Sequence, residues 1–121
     1  MRLALALVFA VHGLAHLPGF LVPWRLVKPA DMPYKTTLLG GSIDVGGTGI
    51  RIMGILWLLA AIGLFAAAVA TFRGSPSWPT LALSVTGVSL VLSILAWPDS
   101  RIGVGVNLAI LVALLLGRRL D

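Results

Sequence analysis

The sequence predicts an all-α protein: an integral membrane four-helix bundle, antiparallel up-down, with one long ordered loop between helices 1 and 2. Three observations carry this expectation. Of 121 residues, 59% are hydrophobic and 11% charged, whereas soluble chains carry about 25% charged residues. The mean hydropathy is +1.05, more apolar surface than so small a body can enclose on its own. The apolar residues also fall into four runs, each near the ~20 residues that cross a hydrocarbon core of about 30 Å. The lipid bilayer is then the first partner of this chain, and one transmembrane domain accounts for its whole length.

The first run covers 3–22 and is interrupted only by His12 and His16. Its beginning, MRLALALVFAVHGLA, has the outline of a signal peptide with Arg2 as the charged region. The apolar stretch continues past Ala15, and a histidine is foreign to such a core, so a retained first helix is expected. The second run covers 50–72, the third 78–97 and the fourth 102–117. Between the second and third, RGSPSWP offers Ser77 as a helix cap; between the third and fourth, WPDSR offers Pro98 as a stop and Asp99 or Ser100 as a cap. Both connections are short, which makes the joined helices antiparallel neighbours. Trp24, Trp78 and Trp97 fall at span ends, where an aromatic belt belongs. Trp57, inside the second span, has no such reason.

The loop 23–49 is different. Pro23, Pro29 and Pro33 exclude a regular helix from its first half, and five glycines surround Ser42 and Asp44 in its second. Long loops in compact domains tend to be functional or disordered; the apolar residues of TLLGGSIDV favour an ordered cap on the helix ends. Basic residues divide four to one face (Arg2, Arg73, Arg118, Arg119) and five to the other (Arg25, Lys28, Lys35, Arg51, Arg101). That count does not orient the chain. The pair abutting the last span leans toward both termini being cytoplasmic.

Composition also excludes chemistry. Without cysteine there is no disulfide, thiolate site or thiol nucleophile, and without glutamate the carboxylate side chains are Asp31, Asp44, Asp99 and Asp121 alone. The net charge of +5 is scattered through loops and termini, which suits anionic headgroups and not nucleic acid.

His12 and His16 share one face of the first helix, about 6 Å apart along its axis. Ionisable groups at membrane depth usually face the bundle interior and are candidates for function. Counted from the span ends, Asn107 is level with His16, while Ala82, Thr86, Ser89 and Ser93 form a stripe with Ser93 near the same face and Ser89 near His12. The candidate pocket is therefore His12, His16, Ser89, Ser93 and Asn107, with Asp44 and Arg51 at its mouth. Small and hydroxylated residues also serve simply as interhelical packing and hydrogen-bonding groups, and that alternative stands beside the pocket. Arg51 likewise has a snorkelling role open to it.

Metal binding lacks ligands: two histidines hold one ion, but a closed site needs a third or fourth donor. Gly13 follows His12 where a metalloprotease motif needs glutamate. Axial haem ligation needs histidines from facing helices, which only a homodimer would supply. The glycine segment LLGGSIDVGGTGIR opens a helix, as phosphate cradles do. It lacks the GxxxxGK[ST] spacing and a preceding strand, so a lipid headgroup at Arg51 is the milder expectation.

With HGLAH in helix 1, LLGGSIDVG before helix 2 and GILWLLA within it, the chain resembles small bacterial membrane proteins of DoxX-like four-helix architecture. Some of these carry the label of ABC transporter permease. The likeness implies a multi-pass protein of the bacterial plasma (inner) membrane and assigns no residue a role. In size it is also similar to the small multidrug-resistance exporters, which rely on a first-helix glutamate absent here. The leading functional expectation is a non-enzymatic module binding a lipophilic ligand or partner helices, with no cofactor predicted and a homo-oligomer or larger membrane complex as its setting. The alternatives are a small, dimeric transporter using the histidine pair, or a haem-, quinone- or metal-binding redox subunit.

Overall fold

The computed structural model describes residues 1–120, the last three as helix only; the Arg118 and Arg119 side chains, on which the expected orientation leans, lie outside the described residues. The chain is mostly helical. Its order is α1 (Arg2–His16), α2 (Pro18–Leu21), β1 (Thr37–Leu38), β2 (Ile43–Asp44), α3 (Gly46–Arg73), α4 (Trp78–Leu95) and α5 (Arg101–Leu120). Three stretches, Arg2–Leu21, Gly46–Arg73 and Trp78–Leu95, are long and apolar enough to cross a membrane, and Arg101–Gly117 is a shorter apolar helix.

The first expected span is broken where the sequence reading ran it through to residue 22. Pro18 has no N–H for the carbonyl of Leu14, which accepts from Leu17 at 3.2 Å instead, and the chain restarts as the single turn α2. The second span begins four residues before its expected start. Val45 folds over the first turn of α3, and it does so because residue 49 is glycine: a Cβ there would lie 2.6 Å from the Cβ of Val45. Ser77 does precede α4, but its hydroxyl meets that of Ser75 at 3.2 Å and does not cap the helix. Asp99 pairs with Lys35 of the long loop.

The most extensive helix contact is α1 with α3, followed by α3 with α4 and α4 with α5 to about the same extent. Arg2 Nη1 donates to the carbonyl of Thr71 at 3.3 Å, so the start of α1 meets the end of α3 and the two run antiparallel. A cation there also complements the negative end of the α3 dipole. The α1–α3 seam is built from glycines that each seat an aromatic ring. A Cβ on Gly13 would sit 2.9 Å from Phe65, and one on Gly19 would sit 2.6 Å from the root of the Trp57 ring. Gly54 in turn faces Trp24, at 2.8 Å by the same measure. Small residues at such contacts let helices approach closely where lipid supplies no hydrophobic drive between them.

The long loop folds back over one end of the helices. β1 and β2 pair antiparallel, Thr37 opposite Asp44 and Leu38 opposite Ile43. The turn between them donates from Leu39 N to Leu95 O at 2.9 Å and from Gly40 N to Trp97 O at 2.7 Å, which satisfies carbonyls left open at the end of α4. A strand therefore does precede α3, though only two residues long.

The interior divides along the helix axes. Toward the start of α1 it is apolar, with Leu5, Phe9, Leu64, Ala67, Ala82, Ile110 and Leu114 in one cluster. Toward the loop it is polar, with His12, His16, Ser89, Ser93 and Asn107 all buried.

The seam makes a prediction. Gly19→Ala should lower stability by about 1–3 kcal/mol through overpacking against Trp57. Gly87→Ala, where a Cβ meets nothing within 4 Å, should be neutral or raise stability by up to about 1 kcal/mol. Thermal unfolding in detergent reads both.

Candidate functional site

The site is built by four helices. α1 places His12 and His16 one turn apart on its inner face, α4 presents Ser89 and Ser93, α5 presents Asn107, and α3 closes one side with Trp57. All five polar residues are at most 7% exposed.

Their protons follow from geometry and hydrogen-bonding inventory. His16 Nδ1 lies 2.8 Å from the carbonyl oxygen of His12. A carbonyl only accepts, so Nδ1 carries the proton and donates. In a neutral ring Nε2 is then an acceptor, and Ser89 Oγ, 2.6 Å away, must donate to it. Ser89 has one proton, so its oxygen is left to accept, which it does from Asn107 Nδ2 at 2.9 Å. Asn107 Nδ2 also donates to Ser93 Oγ at 3.3 Å. The amide oxygen of Asn107 therefore accepts, and it does so from His12 Nε2 at 3.0 Å. His12 Nε2 also lies 3.4 Å from Ser89 Oγ, a weaker branch of the same donation.

The result is a circuit: His12 to Asn107, Asn107 to Ser89, Ser89 to His16, and His16 back to the backbone of His12. With both imidazoles neutral, every donor in it points the same way around and the two rings take opposite tautomers. Among the described residues no group hydrogen-bonds His12 Nδ1, which is left as a lone-pair acceptor.

Two further contacts frame the circuit. The imidazoles meet edge to face with centroids 4.5 Å apart. The Trp57 ring lies 4.9 Å from that of His16, over the open space at Gly19. Trp57 is the residue that sequence reasoning left without a role, and its position away from either span end was the signal. Thr86, one turn before Ser89, is fully buried with its hydroxyl unpartnered.

The level count pairs Asn107 with His16 and Ser89 with His12. Asn107 instead reaches His12 Nε2, while Ser89 bonds His16 and also lies 3.4 Å from His12 Nε2. Asp44 and Arg51, expected at the mouth of the pocket, make their side-chain contacts with other residues. Asp44 accepts from the Gly46 amide at 2.9 Å and from the Thr36 hydroxyl at 2.8 Å, and these bonds hold its carboxyl below the usual range. Its hairpin is tied to the end of α4. Arg51 stacks on Trp24, with Cζ 4.5 Å from the ring centroid.

As chemistry, the circuit orders its groups and, with the rings neutral, sets the direction of each proton. Ser89 gives its proton to a neutral imidazole, but no acidic group orients that imidazole; a backbone carbonyl does. Among the described residues no third histidine or carboxylate joins His12 and His16 to complete a metal site.

The circuit predicts coupling. Ser89→Ala and Asn107→Ala should each cost about 1–2 kcal/mol by leaving buried partners unsatisfied. Together they should cost less than their sum by about 0.5–1.5 kcal/mol. A double-mutant cycle of unfolding in mixed micelles measures this, and additive costs would show that the two residues act separately.

No family model, no curated protein and no solved structure matches the chain.

Proposed function

We propose that the protein is a multi-pass module of the bacterial plasma membrane, its four long helices crossing the bilayer as an antiparallel bundle with both termini cytoplasmic. In architecture this reading sets it beside the DoxX-like proteins. The outward faces support membrane insertion: Leu7, Val11, Ile52, Leu59, Val91, Val112 and Leu115 are exposed, an arrangement that water penalises and lipid does not. Trp78 and Trp97 flank α4 at opposite ends, as membrane interfaces favour.

Within that setting the module is non-enzymatic and binds a lipophilic ligand or a partner helix that donates one hydrogen bond. The observation that carries this is His12 Nδ1. With the ring neutral, the circuit fixes the His12 tautomer, so that this nitrogen is an acceptor, and leaves it without a protein partner. It is not sealed inside the bundle as the Thr86 hydroxyl is, so an incoming hydroxyl or N–H group can reach it. The second reading, a small transporter exchanging a proton at His12, rests on the same nitrogen. It predicts pH-dependent flux in liposomes and no retained ligand.

Co-purification tests the first reading. His12→Gln keeps an amide N–H where Nε2 donates to Asn107 and offers nothing at the Nδ1 position. Mass spectrometry of organic extracts should find a lipophilic species with a hydroxyl or N–H donor at close to one equivalent on the wild-type protein. The variant should hold at least tenfold less while melting near the wild-type temperature. Equal amounts on both proteins would contradict the reading.

A further inference from the structure

Outside the histidine circuit, the loop end holds a second feature that the function above does not use. An open cavity of about 460 Å³ is lined by Pro23, Trp24, Arg25, Tyr34, Gly47, Thr48 and Arg51. Two guanidinium groups face it and neither has a carboxylate partner; among the described residues the one ion pair is Lys35 with Asp99. Asp31 and Asp44, the carboxylates nearest along the chain, do not line it.

The arginines are positioned. Arg25 lies over the Tyr34 ring with Cζ 4.1 Å from its centroid. Arg51 lies over Trp24, whose indole N–H donates to the Arg51 carbonyl at 3.0 Å. Stacking on an aromatic face fixes the plane of a guanidinium and leaves its N–H edge for an anion. Arg25 is held there at a backbone φ of 56°, a conformation a non-glycine residue adopts only when its surroundings impose it. Neutral donors complete the wall: the Thr48 hydroxyl, the Tyr34 hydroxyl beside Gly47, and first-turn amides of α3 that have no acceptor within the helix.

We propose that this cavity binds a phosphoryl anion, held between Arg25 and Arg51. Two fixed cations with no internal counter-charge, a ring of neutral donors and room for a group of this size define that chemistry. The anion comes either from the headgroup of an anionic phospholipid or from free phosphate. Only the lipid source rests on the membrane reading.

Native mass spectrometry of the full chain in detergent tests the proposal, with phosphatidylglycerol, phosphatidylcholine and inorganic phosphate as probes. Arg25→Gln with Arg51→Gln should weaken the preferred phosphoryl probe about 30-fold, the value expected for two lost arginine contacts near a membrane surface. Lys28→Gln with Arg101→Gln removes the same charge elsewhere and should leave binding unchanged. Arg25→Lys with Arg51→Lys should retain part of it, which keeps the result readable if the glutamine pair fails to fold. A preference for phosphatidylglycerol over phosphatidylcholine identifies the lipid source, and arginine-dependent phosphate binding without that preference identifies the free anion. Equal loss in both glutamine pairs, or binding by none of the probes, would overturn the proposal.

Discussion

The polar half of the interior depends on one hydrogen bond, from His16 Nδ1 to the carbonyl of His12 at 2.8 Å. It lies within α1, formed by the four-residue spacing that also brings the two imidazoles edge to face. Its consequence reaches three helices. A carbonyl cannot donate, so the bond fixes one proton, and each neighbour then has a single role left to it. Ser89 must give, Asn107 must give with one end and accept with the other, and His12 must give through Nε2. Among residues at most 7% exposed, a wrong direction at any step leaves two lone pairs or two protons facing each other. Direction therefore sets the relative placement of α1, α4 and α5 more narrowly than packing alone does.

Packing does the complementary work on the other side of α1. Trp57, Phe65 and Trp24 need a backbone close enough to touch along a whole ring face, and glycine is what permits that approach at 13, 19 and 54. The Pro18 interruption of the hydrogen-bond ladder lies next to the place where Gly19 meets Trp57. The circuit is thus closed laterally by a ring and below by the apolar cluster around Phe9 and Leu64. His12 Nδ1 remains the open valence, and the loop end carries a separate, cationic cavity. A neutral acceptor between the helices and a cationic cavity at the loop end are different chemistries stacked along one molecule.

Much of this was legible in the residues. Four runs of apolar character, separated by Pro, Gly and Ser, marked the four long helices, because helix length and turn chemistry are local properties. The convergence of His12, His16, Ser89, Ser93 and Asn107 was legible from period and depth together. Which pairs meet was not: that depends on where α1 ends, and a lone Pro18 inside an apolar run reads as tolerable until the Leu14 carbonyl is accounted for. The tie between the hairpin of Asp44 and the end of α4 was not legible, because it is a long-range contact with no local signature. Trp57 announced itself only as an exception to the aromatic belt, and its partner Gly19 is silent in any sequence, since a missing side chain says nothing about what fills its place.

The measurement that tests the account most directly is ¹⁵N magnetic resonance of the two imidazoles in lipid bilayers near neutral pH. The circuit predicts two neutral rings in opposite tautomers, His12 protonated at Nε2 and His16 protonated at Nδ1. Neither should exchange with the other form, because each tautomer is held by its neighbours. Matching tautomers, a rapidly averaged mixture or an imidazolium at either position would contradict a directed circuit and leave the five residues as ordinary interhelical packing.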